Sequence, residues 1–91
     1  MNIVYLNGEF VDKSQATVSI FDRGFLFGDS IYEVIPYFKG HPIGTIPHLE
    51  RLNNSLKGIE MPPVLQHKDW LHIFSELMKR NYDCWVCLEW L

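Results

Sequence analysis

Few residues of this 91-residue chain have types and spacings that can do chemistry. Cys84-x-x-Cys87 is the most familiar short pattern. A structural zinc site needs four ligands, and the chain has no second cysteine pair. His67 and His72 lie five apart, so on a helix they diverge by more than about 100°. A redox pair would open a helix, where the dipole lowers the thiol pKa. Here the thiols sit among Trp85, Val86 and Leu88 and are expected to fill apolar space. Gly28-Asp29-Ser30 lacks the second glycine of a nucleophile elbow. No catalytic residue and no metal ligand is therefore assigned. Arg51 stands between Leu49 and Leu52 of an apolar stripe, near its buried boundary. A guanidinium there can pair with a carboxylate or hold a phosphate. Taken alone, pairing with a local Glu is the simpler reading. Tyr32, taken alone, reads as a core tyrosine with a satisfied hydroxyl. Glu33 is a carboxylate between Ile31 and Ile35, so it lies at a sheet edge or faces a polar cavity.

These residues need elements to position them. Ile3 to Leu6, Asn7-Gly8 and then Glu9, Phe10 and Val11 read as a hairpin, because Asn-Gly tolerates positive φ in a two-residue turn. Residues 12–15 read as a loop and 18–21 as a short third stretch. Residues 22–30 carry Phe25, Leu26 and Phe27 between two glycines, which predicts a tightly packed loop or one helical turn. Residues 30–38 form the strongest strand, β-branched and aromatic. Alternation places Tyr32, Val34, Pro36 and Phe38 on one face and Ile31, Glu33, Ile35 and Tyr37 on the other. Pro36 cannot donate to a ladder, which implies an edge or a bulge. Lys39-Gly40 predicts a turn and residues 41–45 a short return strand.

Leu49, Leu52, Leu56 and Ile59 recur at three, four and three, which predicts a helix over residues 48–57 with Gly58 just past its end. A second helix is predicted over residues 67–80. Its apolar face comprises Trp70, Leu71, Ile73, Phe74, Leu77 and Met78, with Asp69 in the first turn and Lys79 and Arg80 in the last. Strands followed by helices give an α+β class with a mainly antiparallel sheet and two helices.

Composition narrows the function classes. With 47% apolar and 21% charged residues the chain suits one small domain rather than a disordered tail. The net charge of −3 and the absence of Lys/Arg runs argue against nucleic-acid binding. No apolar stretch approaches the ~20 residues of a membrane span, and residues 1–9 lack signal-peptide character, so a cytoplasmic chain is expected.

Three blocks together resemble a known family. They are Tyr5-Leu6-Asn7-Gly8-Glu9-Phe10-Val11, residues 18–35 with Asp22-Arg23-Gly24 and Phe27-Gly28-Asp29-Ser30-Ile31-Tyr32-Glu33-Val34, and His48-Leu49-Glu50-Arg51-Leu52. Their order and spacing resemble the start of class IV aminotransferases, the fold-type IV enzymes of pyridoxal 5'-phosphate (PLP). The likeness covers residues 1–59 well and the second helix loosely. It leans to the D-amino-acid transaminase branch, then to aminodeoxychorismate lyase, then to branched-chain aminotransferases, which usually carry Phe-Glu-Gly where this chain has Tyr32-Glu33-Val34.

The resemblance implies an amino-group transfer between an amino acid and a 2-keto acid, and a homodimer. It implies that Arg51 binds the cofactor phosphate, that Tyr32 lines the substrate pocket, and that Glu33 is a carboxylate beside it. Asp22, Arg23 and Gly24 match a structural motif. The family usually has a polar helix start before its His-x-x-Arg block, whereas this chain has Thr45-Ile46-Pro47. The cofactor-linking lysine and the partner of the pyridine nitrogen belong to a second domain in the family. The five lysines here, Lys13, Lys39, Lys57, Lys68 and Lys79, read as solvated. Residues 1–82 are thus expected to be a partial N-terminal domain truncated before the second, and 83–91 an atypical tail unlike the family's next strand, as a shifted frame or truncated gene would give. Such a fragment is expected to be inactive. A small non-enzymatic α+β interaction module is the rival expectation.

Overall fold

The computed structural model describes residues 2–81 in full and the backbone of residues 85–90. Strands β1 (Ile3–Leu6) and β2 (Glu9–Asp12) form the expected hairpin, with Tyr5 opposite Phe10. Asn7 and Gly8 both take positive φ (50° and 87°), the turn geometry that matches strand twist. Tyr5 and Phe10 meet edge to face at 5.0 Å. A 3-10 turn follows at Lys13–Gln15, and Asp12 caps it by accepting from the Ser14 amide.

Residues 18–21 form no strand, contrary to expectation. Ile20 and Phe21 are about three-quarters exposed. Their β-propensity is real, but a strand needs a neighbouring ladder, and none reaches them. Residues 23–26 make the single helical turn α1 (Arg23–Leu26). Asp22 caps it through the Gly24 amide, and Arg23 pairs with Asp29 at 2.8 Å. Tight packing does not follow: Phe25, Leu26 and Phe27 are all exposed, and Phe27 is covered on one side by the Arg23 guanidinium.

Strand β3 (Ile31–Phe38) alternates as its sequence requires. Glu33, Ile35 and Tyr37 point into the core, and Tyr32, Val34 and Phe38 point out. The reading of Tyr32 as a core residue is therefore corrected. The pleat sends it to the face away from the helices, and it is 71% exposed. The return strand is shorter than expected: β4 is only His41–Pro42, after a turn with Lys39 and Gly40 both at positive φ. Pro36 sits at the last pair of the β3–β5 ladder.

Helix α2 (Thr45–Gly58) starts three residues before the predicted position. No side chain caps it; Gly44 does so in the left-handed region (φ 66°), a conformation that glycine adopts without a Cβ penalty. Leu49, Leu52 and Leu56 are almost fully buried, each contributing about 1.5–3 kcal/mol by leaving water. Helix α3 (His67–Arg80) has the predicted bounds. Asp69 accepts from the Gln66 amide and so closes its first turn. Trp70, Ile73, Phe74 and Leu77 are buried, whereas Leu71 is exposed and Met78 only half-buried, so the apolar face is narrower than predicted.

Strand β5 (Trp85–Trp90) pairs antiparallel with β3 over Ile31 to Pro36. These six residues fall within the stretch 83–91 that the sequence sets apart as a tail. The fold is α+β: a two-stranded sheet β1-β2, a three-stranded sheet β4-β3-β5, and the helices. One core joins Ile35 and Tyr37 of β3 to the three leucines of α2 and the four large residues of α3. The hairpin closes it from outside through Ile3, Tyr5 and Phe10. Cys84 and the side chain of Cys87 lie outside the described residues.

Candidate functional site

The site forms where the first turns of α2 cross the start of β3. Position 33 faces inward by the strand's alternation, so its carboxylate must be met from the helix side. Positions 48 and 51 are i and i+3 on α2 and lie on one face of the helix. Arg51 donates from Nε to Glu33 Oε1 at 2.6 Å and from Nη2 to Glu33 Oε2 at 2.8 Å. His48 Nδ1 approaches Glu33 Oε2 at 2.8 Å. The two-pronged arginine contact is the strong, directional form of ion pair.

The electrostatics follow from this geometry. The hydrogen bond from Arg51 holds the Glu33 carboxyl below the usual carboxylate range; burial opposes this, and His48 adds to it. An ionised carboxylate only accepts, so His48 carries its proton on Nδ1. Glu33 in turn holds Arg51 above the ordinary arginine range, first by its hydrogen bond and then by its charge. The pair is lopsided in exposure. The Glu33 side chain is 4% exposed and that of Arg51 67%. The charge is thus buried on one side and open to water on the other.

Each residue singled out in the sequence can now be placed. Arg51 is exposed rather than at a buried boundary, and its partner is Glu33, remote in sequence rather than local. Glu33 sits beneath α2; β5 pairs with β3 at this position, whereas β4 reaches only Tyr37 and Phe38 farther along, so among the described residues β3 is laddered on one side at Glu33. Tyr32 is its neighbour on the opposite face. The structure therefore joins Arg51 and Glu33 directly and leaves the Tyr32 side chain on the other face of β3. His48 was not among the expected site residues. Its signal was available: His48-x-x-Arg51 is a helical spacing that sends both side chains one way. A cavity of about 510 Å³ lies elsewhere, against Tyr37, His41, Pro42, Phe74 and Met78. Among the described residues no group of three or more His, Cys, Asp or Glu is placed to hold a metal. No described helix is long and apolar enough to cross a membrane.

No protein-family model matches the chain. Curated relatives do. A D-alanine aminotransferase of Staphylococcus haemolyticus is 37% identical over 81 residues, covering 89% of this chain and 29% of that protein. An aminodeoxychorismate lyase of Bacillus subtilis is 30% identical over 79 residues, 87% of this chain and 27% of that one. Over most of its length the chain is thus similar to members of the class IV aminotransferase family. A Methanocaldococcus jannaschii member, provisionally named a branched-chain-amino-acid aminotransferase, is 35% identical over 78 residues, again 27% of its length. The chain spans under a third of the length of these class IV relatives. Their names cover both amino transfer and a lyase reaction, so likeness over this segment does not define the reaction.

Proposed function

We propose that this chain forms the phosphate-side wall of a PLP site in a class IV aminotransferase of the D-amino-acid transaminase type, which moves an amino group between an amino acid and a 2-keto acid. The donor chemistry fits the cofactor's phosphate. A guanidinium has five N–H groups. Glu33 occupies Nε–H and one on Nη2, which leaves both on Nη1 and the second on Nη2 turned toward water. That outer edge is a planar fork suited to two phosphate oxygens. This orientation of Arg51 is the observation that carries the reading.

In this reading Arg51 grips the phosphate, Tyr32 offers its exposed phenol to the substrate pocket, and Glu33 lies beside that pocket beneath Arg51. The cofactor, when bound, supplies the electron sink for chemistry at the substrate's α-carbon. The protein's own part here is to bind and orient. Glu33 and His48 fix the helix against the strand, and Arg51 holds the anion.

The 91 residues alone do not turn over substrate. All five lysines are exposed, and none lies in the desolvated pocket that an amine nucleophile occupies. Exposed Ile20, Phe21, Phe25 and Phe27 favour self-association, and the intact enzyme is a cytoplasmic homodimer. The likeness to an aminodeoxychorismate lyase supports a second reading, in which the same wall serves a lyase reaction.

Titrating the purified chain with inorganic phosphate tests the reading. Backbone amide signals of residues 48–52 should shift, and Arg51→Leu should abolish the shift. Shifts that survive Arg51→Leu would remove Arg51 from the role. Turnover of D-alanine with a 2-keto acid by the chain alone, with PLP added, would overturn its assignment as an inactive wall.

A further inference from the structure

We infer that Glu33 is the positioning residue of the phosphate site: it touches no phosphate but sets the direction in which Arg51 presents its outer edge. The inference rests on the phosphate-binding role proposed for Arg51. Three observations carry it. Arg51 is two-thirds exposed, and a long exposed side chain ordinarily samples many rotamers. Its inner edge is nevertheless fixed by two short hydrogen bonds to one carboxylate. That carboxylate is itself held in place from a second side: it is 3% exposed on the inward face of β3, and Oε2 also takes the bond from His48. His48 lies one turn earlier on the same helix. Two donors from α2 thus close on one acceptor from β3, and the guanidinium plane is set by the sheet rather than by solvent.

This arrangement opposes simple charge attraction. Glu33 cancels the positive charge of Arg51, which weakens the long-range pull on a dianion. Geometry and charge therefore predict opposite signs for one substitution. Glu33→Gln removes the negative charge. It also puts an amide donor against the N–H groups of Arg51 and His48, so the fork is released.

The experiment uses the full 91-residue chain with inorganic phosphate as probe, followed by the amide signals of residues 48–52. Glu33→Gln is made beside Arg51 and again beside Arg51→Lys, whose ammonium has no plane to orient. Positioning predicts phosphate binding about five- to tenfold weaker for Glu33→Gln with Arg51 present, and unchanged or tighter with Arg51→Lys. Tightening in both backgrounds would show that charge alone governs the site. Weakening in both would make Glu33 a merely structural residue. Either result overturns the inference.

A second measurement needs no phosphate, so failure of the phosphate reading is seen separately. The Arg51 Nε–H should exchange slowly with water in the parent chain and about tenfold faster in Glu33→Gln. His48→Leu, which leaves charge and carboxylate in place, should give a smaller acceleration. It also serves if the glutamine variant fails to fold. Exchange that is equally fast in the parent, or unchanged in both variants, overturns the positioning role whether or not phosphate binds.

Discussion

Two ends of one strand face handle buried polarity in opposite ways. At the start of β3, Glu33 is buried and met by three N–H groups from α2. Farther along the same inward face, Tyr37 is buried with its hydroxyl lacking a hydrogen-bond partner among the described residues. Burial alone drives the Tyr37 phenol up to about 12, whereas Arg51 drives the Glu33 carboxyl down. A buried polar group is tolerated at the first place because a helix delivers donors to it. At the second, Tyr37 is retained for its ring in the core beside Ile35 and Phe74, and the hydroxyl is carried along. Polar satisfaction thus marks the end of the strand where chemistry is proposed.

The sharpest way to break this contrast is to delete the carboxylate. Glu33→Ala should cost about 1–3 kcal/mol in urea unfolding: its loss leaves the half-buried His48 donor unpaired and opens a void, moderated because Arg51 can return to water. A loss no larger than that of Tyr37→Phe would end the contrast. Alkaline titration comes next. The folded Tyr37 phenol, near 12, lies above its ordinary 10.0, so the unfolded chain loses that proton first. Stability should fall as pH rises from about 10 toward 12, by roughly 2–3 kcal/mol, and Tyr37→Phe should remove that portion of the fall.

The acid side should mirror this more weakly. Glu33 is held below its ordinary 4.5, so its contribution is complete above that pH and fades as pH drops through the lower folded value. Glu33→Gln should flatten that part of an acid unfolding curve, and an unchanged curve would deny the pairing any stabilising effect. The smallest effect belongs to Tyr37→Phe at neutral pH. Removing an unpartnered hydroxyl should leave stability within about 1 kcal/mol or raise it slightly. A loss beyond that would reveal a partner for the hydroxyl.

The sequence made legible what is local and periodic. Asn7-Gly8 specifies its own turn, and the leucines of α2 and aromatics of α3 mark their buried stripes. Alternation in β3 separated Glu33 from Tyr32 but could not say which face the helices would cover, and so Tyr32 was misplaced. Residues 18–21 have strand propensity without a ladder, and β5 has a ladder that only the distant β3 supplies. The early start of α2 depends on the left-handed Gly44, a backbone state with no capping residue to announce it. At the site, Arg51 and Glu33 were each visible, but their contact joins a strand to a helix across 18 residues, a distance no local pattern spans. The likeness to class IV enzymes named both residues without showing that they touch.

The side chain of Asn81, just past α3, accepts from the amides of Asn2 and Ile3 and donates to the carbonyls of Ile3 and Leu77. One amide group thereby laces the leading edge of the polypeptide to the last turn of its final described helix, 79 positions away. Trimming even three residues from the front would unfasten that helix at the rear, so tags and cleavage sites belong well ahead of Asn2.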